Sequence, residues 1–112
     1  MDELSLAGPS AVCEVHGGLV REFTLAPASL GLAPCTLDAL RGGDCAENAR
    51  ILTAILDGSE RGPRRDLVLL NAAAGFVITS LAADLPAGLT LAHGQIESGR
   101  ALAKLRALRG FA

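Results

Sequence analysis

Tryptophan and tyrosine are absent, and the only aromatic side chains are Phe23, Phe76 and Phe111. Platforms on which nucleic-acid bases could stack are therefore missing, and a net charge of -2 with a pI near 5.6 offers no electrostatic footprint for a polyanion. No nucleic-acid partner is expected. Cysteine is scarce and odd in number: Cys13, Cys35 and Cys45 form no CxxC, which argues against both a disulfide framework and a thiolate zinc site. Idle or buried thiols in a reducing compartment are the expectation. No apolar run reaches the roughly 18 residues that a membrane span needs. The opening Met1-Asp2-Glu3 is acidic where a secretory signal is basic and then apolar. A cytoplasmic protein with no membrane partner is expected. Neither GxGxxG nor a P-loop is spelled, and no Ser or Cys stands at a recognisable spacing from His16 or His93 to form a nucleophilic dyad.

What remains is ordinary globular material. Half of the 112 residues are hydrophobic and 20% are charged, with a mean hydropathy of +0.39. That length suits one domain and one modest core, and the apolar content is mostly Ala and Leu, which points to closely packed helices. Residues 11–15 and 19–25 are short β-prone runs joined by His16-Gly17-Gly18, and they predict a hairpin with a loop of about three residues. In the second run Leu19, Arg21, Phe23 and Leu25 share one face, so the hairpin must lie on something. Pro27, Gly31 and Pro34 then interrupt regular structure.

From Asp44 the period changes. Asp44 and Glu47 form a capping-box pattern ahead of Ile51, Leu52, Ile55 and Leu56, and Gly58 ends the helix. Gly58 to Arg65 reads as a polar loop. Residues 66–83 are apolar nearly all round and predict a central, buried helix. Pro86 suits the first turn of a helix over 86–97. A last helix around 100–109 turns Leu102, Leu105 and Leu108 inward and Arg100, Lys104, Arg106 and Arg109 outward. A hairpin followed by about four helices makes the isolated segment α+β, without the alternation that builds a parallel sheet. A two-stranded ribbon with an apolar face wants further strands. Self-association, or pairing with a missing N-terminal half, is expected to supply them.

Few residues carry chemistry. Asp2-Glu3 is the one paired carboxylate suited to Mg²⁺, which takes one or two carboxylates and completes its shell with waters and substrate phosphates. Composition alone reads the same two acids as solvated and frayed. Arg41-Gly42-Gly43-Asp44 could offer backbone amides to a phosphate, but its helix cap is itself a carboxylate, so a structural turn is expected. Arg64-Arg65 could reach an anion but reads as a solvated loop pair. Asn71, inside an apolar helix, needs a partner and is expected to tie that helix to a neighbouring backbone.

Taken in order, these segments resemble one family. Asp2-Glu3-Leu4-Ser5-Leu6-Ala7-Gly8-Pro9-Ser10 is similar to the "DE…S.TGPT" stretch of the anthranilate phosphoribosyltransferases. Val20 to Leu25 with Pro27 and Leu30-Gly31-Leu32 resemble its next strand and turn. Leu40 to Asp44 with Glu47-Asn48-Ala49, then Gly62-Pro63-Arg64, Leu69 to Ala74, and Ile96 with Ser98-Gly99 and Ala101 to Leu105 resemble its closing signature. The resemblance implies an α/β fold of the nucleoside phosphorylase/phosphoribosyltransferase type, of which residues 1–112 form a single partial domain. It implies magnesium-dependent transfer of phosphoribosyl from phosphoribosyl diphosphate to anthranilate in tryptophan biosynthesis. It places Asp2 and Glu3 on the family's metal-binding acids. The glycine-rich diphosphate loop, the anthranilate-facing residues and the helical dimerisation domain of the family are not in the sequence, and Met1 stands where a glycine usually precedes the acids. A truncated carboxy-terminal segment, inactive alone, is therefore expected; the alternative is a non-catalytic interaction module that packs on another chain.

Overall fold

The computed structural model describes residues 1–111. In chain order it contains β1 (Ser10–His16), β2 (Leu19–Leu25), α1 (Cys45–Leu56), α2 (Pro63–Ile78), α3 (Leu85–Glu97) and α4 (Arg100–Arg109), with short 3-10 turns at Pro27–Leu30 and Asp38–Leu40 before α1. The expected hairpin and four helices are all present.

β1 and β2 pair antiparallel, Val12 opposite Phe23 and His16 opposite Leu19. The connection is thus two residues, Gly17-Gly18, rather than the three that were expected. Both glycines have positive φ, +56° and +77°, as the mirror-image turns that match strand twist require. Only the base of the ribbon lies on a core: Leu25 is buried and Phe23 half-buried. The tip stands clear, with Val15 71%, Leu19 76% and Val20 66% exposed. Leu19 and Arg21 therefore do not join the buried face; Arg21 instead lays its guanidinium over the Phe23 ring, 4.6 Å from the centroid, and pairs with Glu14.

α1 starts where Asp44 accepts a hydrogen bond from the Glu47 amide at 2.8 Å. The reciprocal half of the capping box does not form. The Glu47 carboxylate instead receives Nε and Nη2 of Arg50 at 2.9 and 2.7 Å, a two-pronged ion pair one turn along the helix. α2 covers 63–78 rather than 66–83. It begins early because Pro63, lacking an amide hydrogen, suits the first helical position. It ends early because Ser80 adopts φ +61°, and the amides of Ser80 and Leu81 turn back to the carbonyls of Val77 and Phe76 at 3.0 and 2.8 Å. That is a Schellman closure with serine where glycine is usual. Asp84 caps α3 by accepting from the Ala87 amide at 2.9 Å. Gly99, at φ +77°, separates α3 from α4.

Two apolar clusters share α2 as a wall. Leu70 packs with Leu6 and Leu25 under the hairpin, while its neighbour Leu69 packs with Ile55, Ala92 and Ile96 among the helices. This is why α2 is apolar nearly all round. α2 and α3 approach so closely that a Cβ on the buried Gly88 would come 2.7 Å from the Ala73 carbonyl oxygen. Leu102 and Leu105 on α4 are half-buried, but Leu108, expected inward, is exposed because the end of the helix overhangs the core.

The accessible surface is 7295 Å². A compact monomer of 11.4 kDa would expose about 5,800 Å². The radius of gyration, 14.8 Å, likewise exceeds the roughly 13 Å expected for this length. Among the described residues no helix is long and apolar enough to cross a membrane.

Candidate functional site: an acidic pair beside an anchored backbone

Asp2 and Glu3 are exposed, and among the described residues neither carboxylate takes part in an ion pair. The chain beside them is not free. Leu4 donates its amide to Asn71 Oδ1 at 3.0 Å, and Asn71 Nδ2 donates to the Leu4 carbonyl at 2.9 Å. The side-chain amide of one residue on α2 thus pairs with both backbone groups of Leu4 as a neighbouring strand would. A third bond, from Nδ2 to the Leu67 carbonyl at 3.0 Å, fixes the Asn71 side chain to its own helix. Two residues further on, Leu6 is fully buried, and its carbonyl accepts from the Cys35 amide at 3.0 Å. The expected tie between α2 and a neighbouring backbone is this one. The acids project from a segment held at Leu4 and Leu6.

Two adjacent carboxylates do not make a closed metal cage, and the described residues contain no group of three or more His, Cys, Asp or Glu side chains able to hold an ion. The donor set is nevertheless of the kind Mg²⁺ uses, since that ion keeps several waters and shares its shell with phosphate oxygens.

The two other anion-binding candidates prove structural. In the Arg41-Gly42-Gly43-Asp44 turn, Asn48 closes the loop on itself: its Oδ1 accepts from the Gly43 amide at 2.8 Å and its Nδ2 donates to the Gly43 carbonyl at 3.0 Å. The Gly43 amide is therefore taken by Asn48, and the Asp44 carboxylate takes the Glu47 amide in the first turn of α1. Arg64 and Arg65 are not a solvated loop pair, because Pro63 brings both into the first turn of α2. Arg64 donates to the Arg41 carbonyl at 2.7 Å. Arg65 is 7% exposed and pairs with Glu97 at 3.1 Å. Glu97 also has Arg61 at 3.8 Å, so one carboxylate at the end of α3 gathers two arginines around the start of α2, with His93 of its own helix 3.9 Å away. Beside this clamp, burial raises the pKa of the Asp66 carboxyl, partly offset by Arg65. The clamp was the feature least visible in the sequence; only the His93–Glu97 spacing on one helix hints at it.

The glycosyl transferase family, a/b domain, matches residues 1–102. The anthranilate phosphoribosyltransferase of Chloroflexus aggregans is 49% identical over 106 residues, covering 94% of this chain and 31% of the relative. That of Thermomicrobium roseum is 52% identical over 112 residues, covering 97% and 32%. Among solved structures, the anthranilate phosphoribosyltransferase of Thermus thermophilus superposes with a TM-score of 0.86 at 38% identity, over 96% of this chain and 31% of that one. The enzyme of Saccharomyces cerevisiae in complex with PRPP and Mg superposes at 0.84 and 29% identity, over 95% and 30%. The chain thus spans about a third of the length of these relatives, with the hairpin and four helices forming part of their α/β fold. With the family matched across residues 1–102, the chain belongs to the glycosyl transferase family, a/b domain.

Proposed function

We propose that the chain is the carboxy-terminal segment of an anthranilate phosphoribosyltransferase of the cytoplasm, and that Asp2 and Glu3 are its metal-binding acids. In the reaction the anthranilate amine attacks C1 of the phosphoribosyl group. The C1–oxygen bond to diphosphate breaks, diphosphate leaves with the bonding electrons, and the amine loses a proton. Mg²⁺, when bound, supplies charge neutralisation for the departing diphosphate. The chain's own contribution is to hold two carboxylates on a backbone fixed by Asn71, so that less conformational freedom is lost when the ion is engaged. That anchorage is the single observation that carries the reading. It gives a structural purpose to an asparagine in an apolar helix, and it acts one residue from the acids.

By itself the chain is inactive in this reading. Catalysis needs donor, acceptor and metal held together, and the chain spans about 31% of its relatives. The purified chain, incubated with phosphoribosyl diphosphate, Mg²⁺ and anthranilate, is expected to leave the anthranilate fluorescence unchanged. Turnover by the chain alone would overturn the assignment of a partial machinery.

A further inference from the structure

The peptide unit that joins Leu4 to Ser5 is gripped on both edges. Its carbonyl, on Leu4, accepts from Asn71 Nδ2 at 2.9 Å, and its amide, on Ser5, donates to Ser10 Oγ at 3.2 Å. In a trans peptide these two groups point in opposite directions, so α2 holds one edge and Ser10 the other. Ser10 is a fixed mount: it is half-buried, opens β1 and stands opposite the buried Leu25. Between Ser5 and Ser10 the chain closes over Leu6, fully buried and bonded through its carbonyl to the Cys35 amide. We propose that Ser10 is a positioning residue for the acidic pair. Its hydroxyl oxygen fixes the plane of the Leu4–Ser5 peptide, and with it the direction in which Asp2 and Glu3 leave the fold.

Asn71 alone does not fix that direction. Both of its bonds to Leu4 come from the α2 side, and the terminal torsion of an asparagine is broad, so Asn71 and Leu4 can rock together. A second grip on the opposite edge stops the rocking. An arm that rocks has to be stilled when two carboxylates engage one ion, and that ordering weakens affinity. The grip needs an acceptor oxygen at residue 10: threonine supplies one, whereas alanine and valine do not. Had the Ser5–Ser10 bond served only to close the loop, its loss would register in global stability and leave ion binding unchanged.

The proposal rests on the metal reading of Asp2 and Glu3 above, and one titration separates the two. The full chain, labelled with nitrogen-15, is titrated with Mn²⁺, which favours the same oxygen ligands as Mg²⁺ and broadens the resonances of nearby amides. In the wild-type chain the Leu4 amide is expected to broaden, and in D2N/E3Q to remain sharp. S10A and S10V are each expected to need about three times as much Mn²⁺ or more for the same broadening, while S10T matches wild type. Amide exchange at Ser5 should quicken in S10A and S10V with Leu4 still protected by Asn71. Circular dichroism shows that each variant keeps its helices. A wild-type Mn²⁺ response in S10A and S10V, with the Ser5 amide unprotected, would overturn the positioning role and leave the metal reading standing. A response weakened equally in S10T would overturn it too, since side-chain shape rather than the oxygen would then decide. Broadening at Leu4 that survives D2N/E3Q, or none in the wild-type chain, would sink the metal reading and the proposal with it.

Discussion

Replacing Asn71 with alanine tests the anchor beneath the acidic pair. The substitution removes three hydrogen bonds: one accepted from the Leu4 amide and two donated, to the carbonyls of Leu4 and Leu67. At a net value of about 1 kcal/mol each, the loss approaches 3 kcal/mol. The Leu67 carbonyl keeps its helical partner and half-buried Leu4 can recover water, which brings the expectation to about 2 kcal/mol. With a urea slope of about 1–1.5 kcal/mol/M for a chain this short, the midpoint should fall by roughly 1.5 M. The chain has neither tryptophan nor tyrosine, so unfolding is best followed by far-ultraviolet circular dichroism of the helices. Amide hydrogen exchange at Leu4 reads the local effect separately. Protection there should be lost in N71A, while amides in the middle of α2 exchange only as fast as the lower global stability allows. A change in stability below about 0.5 kcal/mol, within the range of an ordinary surface substitution, with Leu4 still protected, would refute the anchor.

Three further substitutions test the fold that carries it. Gly88→Ala raises helix propensity by about 1 kcal/mol, yet it drives a methyl against the Ala73 carbonyl. Net destabilisation of about 1–3 kcal/mol is expected in chemical denaturation, and a stabilised variant would show that α2 and α3 do not approach so closely. Asp44→Ala removes the α1 cap and should cost about 1 kcal/mol, whereas Asp44→Ser should recover most of it. Glu47, hydrogen-bonded to Arg50, titrates below its ordinary value, so its contribution to stability is present above about pH 4.5 and is lost as pH falls through its lower folded value. Melting temperature against pH should therefore drop less steeply on the acid side in Glu47→Gln; an unchanged acid limb would contradict the pairing.

Legibility from sequence followed the range of the forces involved. α1, α3 and α4 were readable because their signals are local: Asp44 at a cap, Pro86 in a first turn, leucines at helical spacing. The ends of α2 were not, since its closure depends on Ser80 taking a left-handed conformation that glycine usually marks, and its start on Pro63 within what reads as loop. The role of Asn71 was legible in kind, because a polar amide in an apolar helix must be satisfied, but its partner 67 residues away was not. Arg65 shows the converse. Nothing in its neighbourhood reveals Glu97, so a residue expected in a solvated loop is instead buried and paired with an exposed carboxylate. For Asp2 and Glu3 composition suggested only a frayed start, and the expectation that they bind a metal came from resemblance alone. The structure adds the anchorage at Leu4.

The central claim is that Asp2 and Glu3 serve a phosphoribosyl transfer that the chain cannot perform alone. It is tested most directly by mixing the chain with the separately expressed remainder of the Chloroflexus aggregans relative and following anthranilate consumption with phosphoribosyl diphosphate, with and without Mg²⁺. Consumption is expected only in the mixture containing Mg²⁺, and its loss is expected when the chain carries D2N/E3Q. Equal consumption by the D2N/E3Q mixture, or turnover by the chain without its companion, would contradict it.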